Sequence, residues 1–131
     1  MFANLWKFLN GRKSTPGVKE RGQVGELHAT KHLEAKGLRI LARNWRCSIG
    51  ELDIVARDGE HIVFIEVKSA GRQSDFRPED RVNHEKQTRI KRLARAYLKS
   101  QRLDAPVRYD IVTVIWQDGQ ARIEHFENAF N

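Results

Sequence analysis

The sequence has one cysteine, Cys47, so no disulfide can form within the chain and a reducing compartment, the cytoplasm, is the simplest expectation. Cys47 lies between Arg46 and Ser48 at a strand end, where it reads as an ordinary strand thiol rather than a nucleophile. No apolar run approaches the roughly 18–20 residues that a membrane-spanning helix needs. The segment Met1 to Leu9 gathers Phe2, Leu5, Trp6, Phe8 and Leu9 around Lys7, but it lacks the h-region and cleavage site of a secretory signal and reads as a short tail helix. No serine stands in a nucleophile-elbow setting. Gly22-Gln23-Val24-Gly25 has no strand before it, so a dinucleotide fold does not follow. His28 and His32 are four apart, yet neither the HExxH pattern nor a cysteine cluster accompanies them, and a zinc site is not indicated. Internal repeats are absent as well. A length of 131 residues is enough for one globular domain and too short for two ordinary ones.

What the chain has in excess is positive charge. The net charge of +7 and the pI near 9.9 favour a polyanionic partner. The excess is concentrated between Lys86 and Arg102, where Lys86, Arg89, Lys91, Arg92, Arg95, Lys99 and Arg102 occur with no acid among them. Ile90, Leu93, Ala94, Tyr97 and Leu98 form an apolar stripe at helical spacing, which leaves most of the basic residues on the wetted side. Like charges four apart repel, so a helix face of one sign favours phosphate contact over simple solvation. Arg72, after the third strand, joins this nucleic-acid-facing set. Lys86 differs from the others. It falls at the edge of the apolar stripe, one turn after Val82, and is placed to face the sheet.

Residues 1–17 read as a flexible tail and linker, with the turn-rich NGRKSTPG at 10–17, and residues 18–131 as the domain. A first helix is expected from Val18 to Lys36, stopped by Gly37. Plotted at helical spacing, Gly22, Gly25, Ala29 and Leu33 share a face with Glu26, which would turn that carboxylate toward the sheet. Three strands follow, Arg39 to Arg46, Glu51 to Arg57 and His61 to Ser69, with an Asp58-Gly59 hairpin between the last two. A second helix is expected to open at Pro78 or Glu79 and reach Gln101. A fourth strand covers Val107 to Trp116, and Asp118-Gly119 turns into a short fifth, Arg122 to Phe126. The order is α/β, with a mixed central sheet flanked by helices.

Asp53, Glu66 and Lys68 carry the chemistry. They lie in Gly50-Glu51-Leu52-Asp53-Ile54-Val55 and Val63-Phe64-Ile65-Glu66-Val67-Lys68, runs that otherwise read as buried strands. Charge there is costly unless it is paired or holds a metal. Glu66 and Lys68 are two apart and project from one face of the strand, and the hairpin brings Asp53 alongside. Two acids suit a hard divalent cation, and a lysine beside it can stabilise a phosphorane or orient a water. That is equipment for cutting a phosphodiester bond. A structural ion cluster, with Lys68 neutralising Asp53 and Glu66, is the plainer alternative. Arg108 and Asp110, two apart on the fourth strand, pair with each other on the same reasoning, and Trp45 and Trp116 read as core or interface aromatics.

These residues, Gly50-Glu51-Leu52-Asp53 and then Glu66-Val67-Lys68, resemble the PD-(D/E)xK nuclease motif. More narrowly, Gly22…Gly25-Glu26…Ala29, Asn44-Trp45-Arg46, Lys86, Tyr97-Leu98, Tyr109-Asp110 and the closing His125 to Phe130 make the chain similar to the YraN family, an uncharacterised bacterial family that resembles archaeal Holliday-junction resolvases. The resemblance implies a restriction-endonuclease-like αβββαβ core and a metal-dependent DNA endonuclease acting on branched or structured DNA. It implies Asp53, Glu66 and the Val67 carbonyl as ligands of Mg2+ or Mn2+, with Glu26 completing the acid cluster directly or through water. Lys68 would position water or stabilise the transition state, and Lys86 would lie near the scissile phosphate. A two-fold dimer would suit the cutting of two symmetric strands. After the lysine the family often has Thr or Ser followed by arginines, whereas here Ser69 precedes Ala70-Gly71-Arg72. A binding module that keeps the nuclease fold without the reaction is the rival expectation.

Overall fold

The computed structural model describes residues 18–71 and 82–131, with side chains of the first helix from Gln23 onward. The elements in chain order are α1 (Val18–Ala35), β1 (Arg39–Cys47), β2 (Gly50–Asp58), β3 (His61–Ala70), α2 (His84–Gln101), β4 (Val107–Gln117) and β5 (Gln120–Phe130). The expected tail, its linker and Arg72 lie outside the described residues.

The five strands form one mixed sheet in sequential order, β1-β2-β3-β4-β5. Every neighbouring pair is antiparallel except β3 and β4, which run parallel. A parallel pair needs a long crossover, and α2 lies within it. Asp118 and Gly119 both have positive φ, 50° and 76°, the conformation of the tight turn whose twist matches the β4–β5 hairpin.

Each helix covers one face. Val24, Ala29 and Leu33 of α1 pack on Ile54, Ala56, Val63, Ile65, Val112 and Val114. Ile90, Leu93, Ala94 and Tyr97 of α2 pack on Val55, Ile62 and Phe64 from the other side. β3 is therefore apolar on both faces because both are covered. Burial of each of these larger side chains contributes about 1.5–3 kcal/mol. Gly25 lets α1 approach closely, since a Cβ at that position would run into the Ser69 hydroxyl.

Two expected boundaries are corrected. Val82 and Asn83 are not helical, and α2 opens at His84, where the Asn83 side chain accepts the Lys86 N–H. The Asn cap sets the start of α2, while Pro78 and Glu79, where the sequence placed it, lie outside the described residues. β5 is not short: it runs eleven residues to Phe130, with a register shift opposite Tyr109 and Ile111 that carries it past Phe126. Among the described residues no helix is long and apolar enough to cross a membrane.

Candidate active site

β2 and β3 pair from Asp58–His61 as far as Ile54–Ile65. Beyond that point β3 remains paired with β4, Glu66 beside Ile111 and Lys68 beside Thr113. Asp53 lies where the β2–β3 pairing stops. The strand alternation also breaks there, because Leu52 and Val55 both pack toward α2 while Ile54 and Ala56 pack toward α1. Across on β1, between the Arg43–Ile54 and Trp45–Leu52 pairs, Asn44 adopts a left-handed conformation at φ 52°. The irregularity of both strands turns the Asp53 carboxylate toward β3, where Oδ2 accepts the Val67 N–H at 2.9 Å.

Glu66 raises the cost of ionising Asp53. Burial, and then the charge on Glu66, push the Asp53 carboxyl up to about 7; the Val67 N–H works against this, and Glu26 and Glu51 add to it. Glu66 keeps a close cationic partner, as Oε1 lies 2.9 Å from the Lys86 Nζ. Lys86 thus faces the acids, as its place on the stripe predicts. Burial alone would lower its pKa, but a side-chain hydrogen bond with Lys68 and the charges of Glu66 and Asp53 outweigh that and hold it above the ordinary lysine value. Lys68 is brought into the same group from β3.

Glu26 approaches from α1. It is half-buried, and burial raises its pKa; a hydrogen bond from Asn44 and the charge of Arg43 oppose the rise, while Glu51 and Glu66 support it. Asn44 and Glu51 are the members of this neighbourhood that motif reasoning did not assign. Asn44 was visible only as part of Asn44-Trp45-Arg46, and Glu51, which pairs with Arg46, only as the neighbour of Leu52-Asp53. The site thus brings together Glu26, Asp53, Glu66, Lys68 and Lys86.

Among the described residues no three His, Cys, Asp or Glu side chains are arranged to hold a metal ion by themselves. The chemistry of the donors nonetheless fits a hard cation. Magnesium commonly takes one or two carboxylates and keeps several waters, and the mutual repulsion of Asp53 and Glu66 is what a dication relieves. His28 packs edge-on against Trp116 at 5.3 Å, and burial lowers its pKa. Trp116 is buried and Trp45 packs edge-on against Tyr97 at 5.4 Å, so both are packing residues.

Arg89, Arg92, Arg95, Lys99 and Arg102 are all exposed on or just beyond α2, while Lys91 is half-buried. From Arg89 to Lys99 the helix rises about 15 Å, so the basic face is an extended stripe that begins near Lys86. Arg108 pairs with Asp110, as their spacing predicts, and also with Asp58 at 2.8 Å.

The model of the "Uncharacterised protein family UPF0102" matches residues 25–114, a span that contains every charged member of the site. The chain is similar to a "UPF0102 protein" of Syntrophus aciditrophicus, 44% identical over 110 residues, covering 83% of this chain and 87% of that one. A "UPF0102 protein" of Moorella thermoacetica is 46% identical over 110 residues, covering 83% and 91%. One of Bacteroides thetaiotaomicron is 43% identical over 111 residues, covering 85% and 92%.

Proposed function

The chain belongs to the uncharacterised family UPF0102, the YraN family, and on that premise we propose that it is a metal-dependent DNA endonuclease of the Holliday-junction-resolvase-like type. Its substrate would be branched or structured DNA in the cytoplasm. The observation that carries this reading is the fork of β2 and β3, where Asp53 and Glu66 meet with Lys68 and Lys86 beside them. Asp53 and Glu66 would hold Mg2+ or Mn2+, with the Val67 carbonyl as a further ligand and Glu26 joining directly or through water. When bound, the ion would supply Lewis-acid stabilisation and a more acidic water.

The remaining work falls to the chain's own groups. Lys68 orients the attacking water and offsets charge that develops on the phosphate oxygens. The Val67 N–H fixes one Asp53 oxygen and leaves the other for the site. Asn44 holds Glu26 in place. The exposed arginines of α2 and Lys99 grip phosphates without reading bases, which suits a substrate defined by shape. A homodimer would present two such sites to two strands.

One observation favours a binding module instead: Lys86 already neutralises Glu66. Cleavage of labelled four-way junction, flap, single-stranded and plain duplex DNA separates the readings. The assay compares magnesium, manganese and chelator for the wild type, Asp53→Ala and Lys68→Ala. Metal-dependent cutting lost in both variants is the expected result. Binding without cutting, unchanged in both variants, would overturn the nuclease reading.

A further inference from the structure

Lys86 occupies an unusual place. It is the third residue of α2, where the positive end of the helix dipole disfavours a cation. Its backbone is fixed, because its N–H donates to Asn83 Oδ1 at 2.9 Å. Its side chain is not enclosed: it is 36% exposed while Glu66 is 18% exposed, and their ion pair spans from α2 to β3 at 2.9 Å. The exposed arginines of the same helix lie along the outer face, so Lys86 is the point where the basic stripe and the acid pair touch.

We propose that Lys86 is an internal counter-ion of Glu66 that a divalent cation must displace, and that the displaced ammonium takes a DNA phosphate, so that cation and DNA bind cooperatively. This rests on the nuclease reading above. The carboxylate that Lys86 pairs with is one of the two that would hold the cation, so ammonium and dication would compete for its charge. Once displaced, Lys86 stands at the positive end of α2 beside Lys68 and a dication, with too few acids to balance them. A phosphodiester group is the anion that the outer face of α2 would deliver to that position. Each ligand then removes part of the cost of binding the other, and linkage makes the effect reciprocal.

The test uses the full chain as wild type, Lys86→Met and Lys86→Arg. Mn2+ affinity is measured by calorimetry without DNA, and junction affinity by fluorescence anisotropy with and without Mn2+ at constant ionic strength. Lys86→Met is expected to bind Mn2+ about tenfold more tightly than wild type and to lose the gain in junction affinity that Mn2+ gives wild type. Lys86→Arg is expected to keep that gain, a rescue that a purely structural role for the side chain would not produce. Mn2+ affinity in Lys86→Met equal to or below that of wild type would overturn the proposal while leaving the nuclease reading standing. Absence of Mn2+ binding in all three proteins, with or without junction, would overturn the nuclease reading and this proposal together.

Discussion

The carboxylate of Asp53 accepts the backbone N–H of Val67 at 2.9 Å, where the pairing of β2 with β3 has stopped. A side chain continues what backbone pairing no longer provides, and it carries charge into a half-buried fork. The two roles, hydrogen-bond acceptor and anion, can be separated.

Asp53→Asn keeps an acceptor for Val67 and removes the charge. Because the Asp53 carboxyl is raised from 3.8 to about 7, the folded chain binds this proton more tightly than the unfolded chain does. Without metal, stability is therefore undiminished below the unfolded pKa, falls as pH rises from about 4 to about 7, and is level above that. Thermal melts in chelator at about pH 5 and about pH 8 should show this loss for wild type and a flatter profile for Asp53→Asn. Equal pH slopes in the two proteins would mean that Asp53 is not the strained carboxylate.

Asp53→Ala removes the acceptor as well. Leaving the Val67 N–H unpaired should cost about 1–3 kcal/mol relative to Asp53→Asn. Denaturant unfolding of the two variants at one pH checks it, and identical midpoints would show that water replaces the carboxylate without loss.

Much of this fork was legible in the sequence. The two-residue spacing of Glu66 and Lys68 placed them on one face, and the helical stripe placed Lys86 toward the acids, where the Glu66 ion pair holds it. These inferences needed only strand and helix periods. The contact of Asn44 with Glu26 was not legible, because it joins β1 to α1 through a left-handed residue in mid-strand that no periodicity announces. The start of α2 was misjudged because Pro78-Glu79 has the look of a first turn while the capping Asn83 lies further on. β5 looked short because Glu127 and Asn128, which follow Phe126, are polar. His125 lies within the expected part, and its side chain, 1% exposed, finds Asp110 only once β4 and β5 are in register.

Asp110 is the second buried charge whose removal should be felt. It is fully buried and accepts from Arg108 Nε at 3.0 Å, Arg108 Nη2 at 2.9 Å, His125 Nε2 at 2.7 Å and the Asn128 N–H at 2.9 Å. Burial works to raise its pKa, but the bonds from His125, Arg108 and Asn128 outweigh it and hold the carboxyl below 3.8. The stability it contributes is present above that value and is lost as pH falls through the folded pKa. Asp110→Ala should cost about 3–5 kcal/mol, since it leaves Arg108 without its buried anion. Chemical denaturation near neutral pH measures this, and a loss below about 1 kcal/mol would show that Asp58 alone satisfies the guanidinium.

Gly25→Ala should destabilise the chain although alanine is the better helix former by about 1 kcal/mol. The added Cβ meets the Ser69 hydroxyl, so α1 or Ser69 must shift, at a cost of about 1–3 kcal/mol. Removing the hydroxyl as well, in Gly25→Ala with Ser69→Ala, should recover part of the loss, because the Ser69 Cβ lies at an ordinary 3.4 Å. A double-mutant cycle of melting temperatures reads the coupling, and strict additivity would place the strain elsewhere.

The outer face of α2 yields a prediction independent of the acids. Arg92 and Arg95 are exposed, so Arg92→Ala with Arg95→Ala should change folding stability by no more than about 0.5 kcal/mol per site. If each arginine neutralises one phosphate of duplex DNA, the slope of log affinity against log salt should fall by about 0.9 per arginine removed. The loss should be the same for unrelated sequences, because these contacts would carry no base information. Anisotropy titrations across a salt series on two duplexes of different sequence supply both numbers. An unchanged slope would detach the basic stripe from DNA and leave its charge as solvation alone.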